Sequence, residues 1–390
     1  MKKPELMTGV GDFVTLHAAI DNGADAVYLG LKEFTMRANA KNFSLNEVKK
    51  IIELCHNKKV KVYVTLNSII YDKEIKKVES IVKKLRNADG VIFWDLSVLE
   101  LLKKYKIKPI LSTQASVSNF ESAKFYYNLG VRRIVLAREL SLEQIKEIIK
   151  KIKKERLNLE VECFIHGAMC VSVSGRCFTS QFLFNKSANR GDCLQPCRRE
   201  YIIKDKDEGY ELELDNNFVM SAKDLCCLPF IDKLIKIGVN AFKIEGRNRD
   251  ARYVAVVTSV YRKAIDGKYD KDDLKELEKV YNRGFSSGFY FNVPGKDEFV
   301  NIYGSLAKEK KVYVGRVVNY FAKIGVAEIK VENSFKINER MVIEGETSGC
   351  VEFLAESFHD NRKVANKGEI VGVKSPKVRK RDKVYVIKEE

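Results

Sequence analysis

Cysteine is the residue type in this sequence with the most chemical potential. Seven of the nine cysteines fall in one short stretch: Cys163, Cys170, Cys177, Cys193, Cys197, Cys226 and Cys227. Two pairs have the spacings C-x6-C and C-x3-C, and the C-x2-C pairs of common structural zinc sites are absent. An iron–sulfur cluster accepts irregular spacing because each thiolate binds a different iron. The stretch therefore predicts a [4Fe–4S] cluster, with zinc as the alternative.

Polar side chains at the ends of short β-branched runs form a second candidate set. The catalytic candidates are Glu162, His166, Glu245 and Arg247, and the substrate-binding candidates are Arg37, Asn67, Gln114 and Arg138. If the runs are parallel strands of a barrel, their carboxyl ends meet at one mouth, where the active sites of such barrels lie. The arginines would then suit an anionic small-molecule co-substrate. The alternative is that these residues form salt bridges between strand ends.

The elements that would position these residues alternate regularly. Strands are predicted at 5–8, 26–29, 60–66, 91–94, 109–112, 133–136, 159–165 and 240–245. Helices are predicted at 12–22, 45–58, 73–87, 97–105, 120–129, 141–156 and 248–266, with capping boxes at Ser44 and Ser141. Eight strands in this rhythm predict an α/β fold, a (β/α)8 TIM-like barrel. An open doubly wound sheet is the competing fold, but no G-x-G-x-x-G follows the first strand.

The change in residue pattern along the sequence also predicts how the chain divides into domains. We expect the barrel over 1–267, with the Cys-rich stretch as an insertion at about 166–237. A linker that partly packs on the barrel is expected at 268–305, and a small β-barrel domain at 306–390, where short alternating strands are separated by Gly, Asn and charged turns. Cys55 and Cys350, which lie outside the insertion, are expected to be buried structural thiols.

Charge and hydropathy indicate where in the cell the protein is expected and which kinds of partner it could bind. The 390 residues carry 70 Lys and Arg against 53 Asp and Glu, a net charge of +17, so an anionic partner is plausible. The one concentrated basic patch contains Lys377, Arg379, Lys380 and Arg381. No apolar run is long enough for a membrane span, and the start lacks the apolar run of a signal peptide. We therefore expect a cytoplasmic protein, in which disulfides are rare.

The Cys-rich stretch also resembles a known family signature. Glu162, Phe164, Gly167, Ala168, Met169 and Cys170, followed by Gly175, Cys177 and Ser180, match the peptidase U32 pattern E-x-F-x-x-G-[SA]-[LIVM]-C-x4-G-x-C-x-[LIVM]-S. Only Thr179 departs, where the pattern has an aliphatic residue. Flanking text such as RANAKNFS, NRGDCLQPCRREY and KIEGRNRDARY is also similar to family text. The resemblance extends over the whole chain.

The resemblance implies an enzyme with a [4Fe–4S] cluster. Carried over by motif position, its ligands are Cys170, Cys177, Cys193 and Cys226, while Cys197 is a fifth thiol of uncertain role. Family members include collagenase-like proteases and proteins of oxygen-independent hydroxylation of tRNA, ribosomal RNA or a quinone precursor. The sequence has no H-E-x-x-H, and only His166 of its four histidines lies near the predicted site, which disfavours a peptidase; the basic charge favours a tRNA or rRNA base over a quinone precursor. A non-catalytic RNA-binding scaffold with a structural metal is a further alternative, and the electron-transfer partner stays open.

Overall fold

Eight parallel strands close a ring in the first part of the chain. The computed structural model describes residues 3–173, 176–202, 207, 218, 220–302, 304–359 and 362–390, so Gly175 of the signature lies outside the described residues. The first sheet contains β1 Glu5–Val10, β2 Ala26–Gly30, β3 Lys61–Leu66, β4 Gly90–Phe93, β5 Pro109–Leu111, β6 Arg133–Val135, β7 Glu160–Ala168, β8 Asp224–Cys226, β9 Ala241–Ile244 and β10 Phe285–Ser286. Strands β1 to β7 pair in sequence order, and β9 pairs in parallel with both β7 and β1. The predicted (β/α)8 barrel is confirmed.

Most helices cover the outside of this ring, and one short helix belongs to the Cys-rich insertion. They are α1 Phe13–Asp21, α2 Val48–Asn57, α3 Ile75–Lys84, α4 Leu96–Lys104, α5 Phe120–Asn128, α6 Leu142–Lys154, α7 Thr179–Phe184, α8 Ile231–Ile237, α9 Ala251–Ile265 and α10 Asp272–Glu278. Helix α6 illustrates why they form: its apolar residues recur every three or four positions, and Leu142, Ile145 and Ile149 are buried. Its charged residues lie on the face that is exposed to solvent.

The two predicted capping boxes have different outcomes. Ser141 forms one with Gln144 at the start of α6, as predicted. The box predicted at Ser44 is wrong, because α2 begins only at Val48. The Glu47 carboxylate accepts hydrogen bonds from the Ser44 amide at 2.7 Å and hydroxyl at 2.6 Å. The Ser44 hydroxyl is thus a donor to Glu47 rather than an acceptor for a helix amide.

The Cys-rich insertion leaves and rejoins the barrel at the same strand. Strand β7 continues to Ala168, and its last residues pair antiparallel with β8, from His166 opposite Cys226 to Ala168 opposite Asp224. Beyond β8, helix α8 leads to β9. The insertion is therefore a detour at the carboxyl end of β7, on the side of the barrel where a TIM-like active site lies.

An antiparallel sheet follows the barrel. Its strands are β11 Glu309–Phe321, β12 Val326–Val331, β14 Arg340–Gly345, β15 Gly349–Leu354, β17 Ile370–Lys374 and β18 Lys383–Glu389, and a separate pair consists of β13 Phe335–Lys336 and β16 Val364–Ala365. The small β-barrel domain predicted here is thus confirmed as an antiparallel β region. It has its own apolar core, which includes Val317, Ile329 and Val384.

Ion pairs connect this sheet to the barrel. Arg252, buried in the first turn of α9, pairs with Glu309 and with Glu352, the latter at 3.0 Å. Lys311 pairs with Asp250 at 2.8 Å. None of the helices described is long and apolar enough to cross a membrane.

Candidate active site

A cavity opens at the carboxyl ends of the barrel strands. It is lined by Tyr28, Met36, Arg37, Thr65, Asn67, Ile92, Ser112, Thr113, Gln114, Val135, Arg138, Phe164, Ala168, Met169, Cys170, Cys193, Gln195, Cys197, Arg198, Lys243, Glu245 and Arg247. Six of the eight candidates from the strand ends are therefore brought together. The two that do not line the cavity are Glu162 and His166.

Glu245 is the carboxylate of the cavity wall. It lies 3.5 Å from Arg37 Nε and 3.9 Å from an Arg138 terminal nitrogen. Burial alone would raise the pKa of the Glu245 carboxyl, but Arg37, Arg138 and Arg247 together hold it below its ordinary value. Glu245 is therefore ionised at neutral pH, in a setting where cations outnumber it.

Two of these arginines, Arg138 and Arg247, have a guanidinium nitrogen without a hydrogen-bond partner among the described residues. Arg247 donates to Asn42 Oδ1 at 2.6 Å, and Arg138 donates to the Ala168 carbonyl at 2.7 Å. The buried Nε of each has no partner among the residues the structure describes. Burial lowers the pKa of Arg247 to about 10, which reflects the cost of holding its charge away from water. A bound anion would satisfy both groups.

An amide pair fixes the opposite wall. Asn67 Nδ2 donates to Gln114 Oε1 at 2.6 Å, and Gln114 Nε2 donates back to the Asn67 carbonyl at 2.8 Å. The Ser112 hydroxyl also donates to Gln114 Oε1, at 2.9 Å. Because these groups satisfy one another, they hold the wall in a fixed shape.

Glu162 lies below the cavity, inside the barrel. It is fully buried, its Oε1 accepts from Lys243 Nζ at 2.8 Å, and Arg133 lies 3.4 Å from its Oε2. Glu162 thus fits the alternative given for the strand-end residues, which is a salt bridge rather than a catalytic role. Lys243, which does line the cavity, was missed from the sequence. Its position two residues before Glu245 on one strand places both on the same face, which is the signal that could have found it.

His166 faces the outside of β7. The pairing of β7 with β9 is irregular between Phe164 and His166, so His166 lies opposite Ile244 rather than opposite an inward-facing residue. Its Nδ1 is 3.2 Å from the Tyr261 hydroxyl, and its ring packs beside Tyr253 and Phe285. Burial lowers the pKa of His166 to about 4, so the ring is neutral within an aromatic wall.

The thiols divide into two groups. Cys170, Cys193 and Cys197 line the cavity. Burial raises the pKa of Cys197, and the nearby thiols of Cys170, Cys193 and Cys177 add to that rise. Cys177 therefore lies near the three thiols that line the cavity. Within the described ranges, no three Cys, His, Asp or Glu side chains form a ready group for one metal ion.

Cys226 lies in the second group, behind β7. It is buried, and its Sγ is 3.7 Å from the Tyr261 hydroxyl. Cys163 and Cys227 are buried in the same region, where burial raises the pKa of each thiol. Of the four ligands carried over from the family motif, the structure thus places Cys170 and Cys193 on the cavity, Cys177 near them, and Cys226 away from them.

The basic patch predicted near the end of the chain forms a loop between β17 and β18. Lys377, Arg379, Lys380 and Arg381 are exposed there, and none of them lines the cavity. The buried Asp382 accepts a hydrogen bond from the Arg379 amide at 2.8 Å, which orders the loop that carries the cations.

Comparison with known proteins identifies the family. The profile of peptidase family U32 matches residues 11–299. A protein of Methanocaldococcus jannaschii named an uncharacterized protease is 44% identical, over 99% of this chain and 98% of its own. A collagenase of Porphyromonas gingivalis is 38% identical, over 98% and 97% of the two chains. The tRNA hydroxylation protein P1 of Bacillus subtilis is 36% identical, over 88% and 84%. The chain belongs to peptidase family U32.

Proposed function

We propose that this protein hydroxylates a base of tRNA or ribosomal RNA without molecular oxygen, using a [4Fe–4S] cluster. The observation that carries the proposal is the composition of the cavity, where three thiols and several buried cations share one barrel mouth. The Bacillus subtilis relative named for tRNA hydroxylation matches most of both chains and supports this function.

The cluster ligands we propose are Cys170, Cys177, Cys193 and Cys226. Thiolates are the donors that iron–sulfur clusters use, and Cys170 and Cys193 line the cavity with Cys177 near them. The assignment of Cys226 rests on the family motif alone. Cys197, which lines the cavity, is the competing fourth ligand. A bound cluster would supply one-electron transfer at the mouth.

Arg138 and Arg247 are proposed to bind the anionic co-substrate. Their unpartnered Nε groups and their burial make a carboxylate or phosphate the matching ligand. Glu245, kept ionised by the surrounding arginines, can accept a proton but not donate one at neutral pH. Asn67 and Gln114 shape the wall against which the base would lie.

RNA as the partner is supported by charge. A chain with a net charge of +17 attracts phosphates, and an unpaired base can be placed in a barrel mouth. We propose that Lys377, Arg379, Lys380 and Arg381 contribute to phosphate binding.

Peptide hydrolysis is the second candidate, because two relatives are named protease or collagenase. A cysteine peptidase needs a histidine base beside its thiol. Cys170 is exposed at the cavity, but no histidine of the described chain lines it, and His166 faces the aromatic wall. The candidate therefore lacks its base.

The test is nucleoside mass spectrometry of tRNA and rRNA from a strain that lacks this protein. Loss of one hydroxylated nucleoside, restored by the wild-type chain but not by Arg247→Met, is the expected result. An unchanged nucleoside profile, together with cleavage of gelatin by the purified protein, would overturn the proposal in favour of a peptidase. Protein purified without oxygen should be brown, whereas a colourless protein with bound zinc would exclude the cluster.

A further inference from the structure

The Cys-rich insertion presents aromatic side chains to solvent at the edge of the cavity. Phe178 is 67% exposed and Phe182 is 88% exposed, at the start and within helix α7. Residues four apart on a helical turn lie on one face, so both rings lie on the same side of α7. The other side of α7 is anchored, because the buried Ser180 hydroxyl accepts from the Leu194 amide at 3.1 Å, next to Cys193. Helix α7 is therefore held next to Cys193, a residue of the cavity wall, and its two phenylalanine rings are exposed to solvent.

Arginines stack on aromatic rings around the same mouth. The Arg176 guanidinium lies 5.7 Å from the Trp94 ring, and Arg190 lies 4.6 Å from the Tyr71 ring. Arg199, next to the cavity-lining Arg198, lies 4.9 Å from the Phe184 ring. Arg176 also donates to the carbonyl of Gln114, a residue of the cavity wall. These three pairs, with Phe178 and Phe182, form what we call the aromatic rim.

Charge selects the kind of partner that this rim fits. Residues 176–202 contain five Lys or Arg and two Asp or Glu. Lys186 and Arg199 are exposed, and no carboxylate in the described part of the chain pairs with either, whereas Arg190 pairs with Glu74 at 2.6 Å. A second copy of a chain with a net charge of +17 would be repelled by such a surface. Exposed rings interleaved with cations are what single-stranded nucleic acids bind, through base stacking and phosphate contacts.

We infer that the aromatic rim binds unpaired RNA bases on either side of the nucleotide that enters the cavity, with Phe178 and Phe182 as stacking surfaces. This inference rests on the proposed function, and it adds that the substrate is a single-stranded or loop segment rather than a duplex. Lys186 and Arg199 contact the phosphates between the stacked bases.

The test measures binding of a short, unstructured, fluorescein-labelled RNA to the protein purified without oxygen. The double variant Phe178→Ala, Phe182→Ala should bind about 10-fold more weakly, with its salt dependence unchanged because phosphate contacts remain. The same RNA annealed to its complement should bind equally well to both proteins. Phe321→Ala is the matched control, since Phe321 is 43% exposed but lies in β11 of the C-terminal sheet.

Two substitutions separate stacking from simple apolar contact. Phe182→Trp should keep the affinity for the single strand, whereas Phe182→Leu should behave like alanine, because leucine keeps apolar area but has no ring face. Equal binding by the leucine variant, or unchanged binding by the double alanine variant, would overturn the inference. So would a wild-type dimer in solution that the double variant dissociates.

The two proposals fail differently. If a strain with the double alanine variant forms the hydroxylated nucleoside at the wild-type level and the variant binds RNA normally, only the aromatic rim is refuted. If the wild-type protein binds no RNA and its deletion changes no nucleoside, both the proposed function and the inference about the aromatic rim are refuted.

Discussion

Five thiols can be tested one at a time for iron binding. Removing a ligand leaves one iron without its thiolate, so the cluster is lost or becomes labile to oxygen. We expect lower iron and acid-labile sulfide per chain in each of four variants: Cys170→Ser, Cys177→Ser, Cys193→Ser and Cys226→Ser. Cys197→Ser should retain both. Full iron in Cys226→Ser together with its loss in Cys197→Ser would assign the fourth position to the thiol that lines the cavity.

The buried Lys243–Glu162 pair makes a second prediction at this scale. Lys243→Met leaves the fully buried Glu162 carboxylate to share Arg133 with Glu5 and Glu160. The expected loss is about 3 kcal/mol of unfolding free energy, measured by urea denaturation. The double variant Glu162→Gln, Lys243→Met should recover much of it, because no unpaired charge remains.

Lys236→Met is the control for this pair, since Lys236 forms an exposed ion pair with Asp232 at 3.1 Å. Its loss should change stability by less than about 1 kcal/mol. A Lys243→Met protein as stable as this control would show that the interior charges are not coupled as the geometry indicates.

The sequence allowed the residue types and the strand ends to be predicted, but it did not allow the direction of every side chain to be predicted. Glu245 and Arg247 follow β9 and face the mouth as expected. His166 does not, because the irregular pairing of β7 with β9 turns it outward. An extra residue in one strand reverses the facing of everything beyond it, and no sequence pattern marked this one.

At the scale of elements, the regular part of the fold was the predictable part. Seven βα units have apolar periodicity long enough to identify each element, and the eight barrel strands close as the count requires. Strand β8 was missed because three residues, DLC, carry no periodicity. The placement of Cys226 depends on this strand, which explains why this thiol could be found by type but not by location.

The amino-terminal end of the barrel gives a prediction about pH. Glu5 at the start of β1 pairs with Lys61 of β3 and Arg133 of β6, at 2.6 and 2.7 Å. Burial would raise the pKa of Glu5, but these cations lower it below its ordinary value. Ionised Glu5 therefore adds stability above its unfolded pKa of about 4.3, and this contribution is lost as the pH falls through the lower native pKa.

We expect Glu5→Gln to lower the thermal unfolding midpoint at neutral pH, with the difference from wild type shrinking below about pH 4. Glu100→Gln is the control, because Glu100 forms an exposed pair with Lys103. A Glu5→Gln deficit that stays constant from neutral to acid pH would mean that the effect is packing rather than charge.

At the scale of the whole molecule, the basic loop before β18 can be tested against the general charge. The triple variant Lys377→Glu, Arg379→Glu, Lys380→Glu should weaken tRNA or rRNA binding several-fold and reduce its salt dependence, because fewer counterions are released. The control reverses three exposed lysines of α3, Lys76, Lys83 and Lys84, for the same change in net charge. Equal effects of the two triple variants would mean that only net charge matters and that the loop is not a contact.

The Cys-rich insertion between β7 and α8 has its two ends joined by strand pairing. Ala168 lies opposite Asp224, and His166 lies opposite Cys226. The barrel closes through β7 and β9 without any help from the residues in between. Lengthening or rebuilding a loop whose ends are already joined costs little entropy. A change in the length of the insertion should therefore leave the ring of strands closed, so the surface that carries the thiols and the aromatic rim can be altered without moving Arg138 and Arg247.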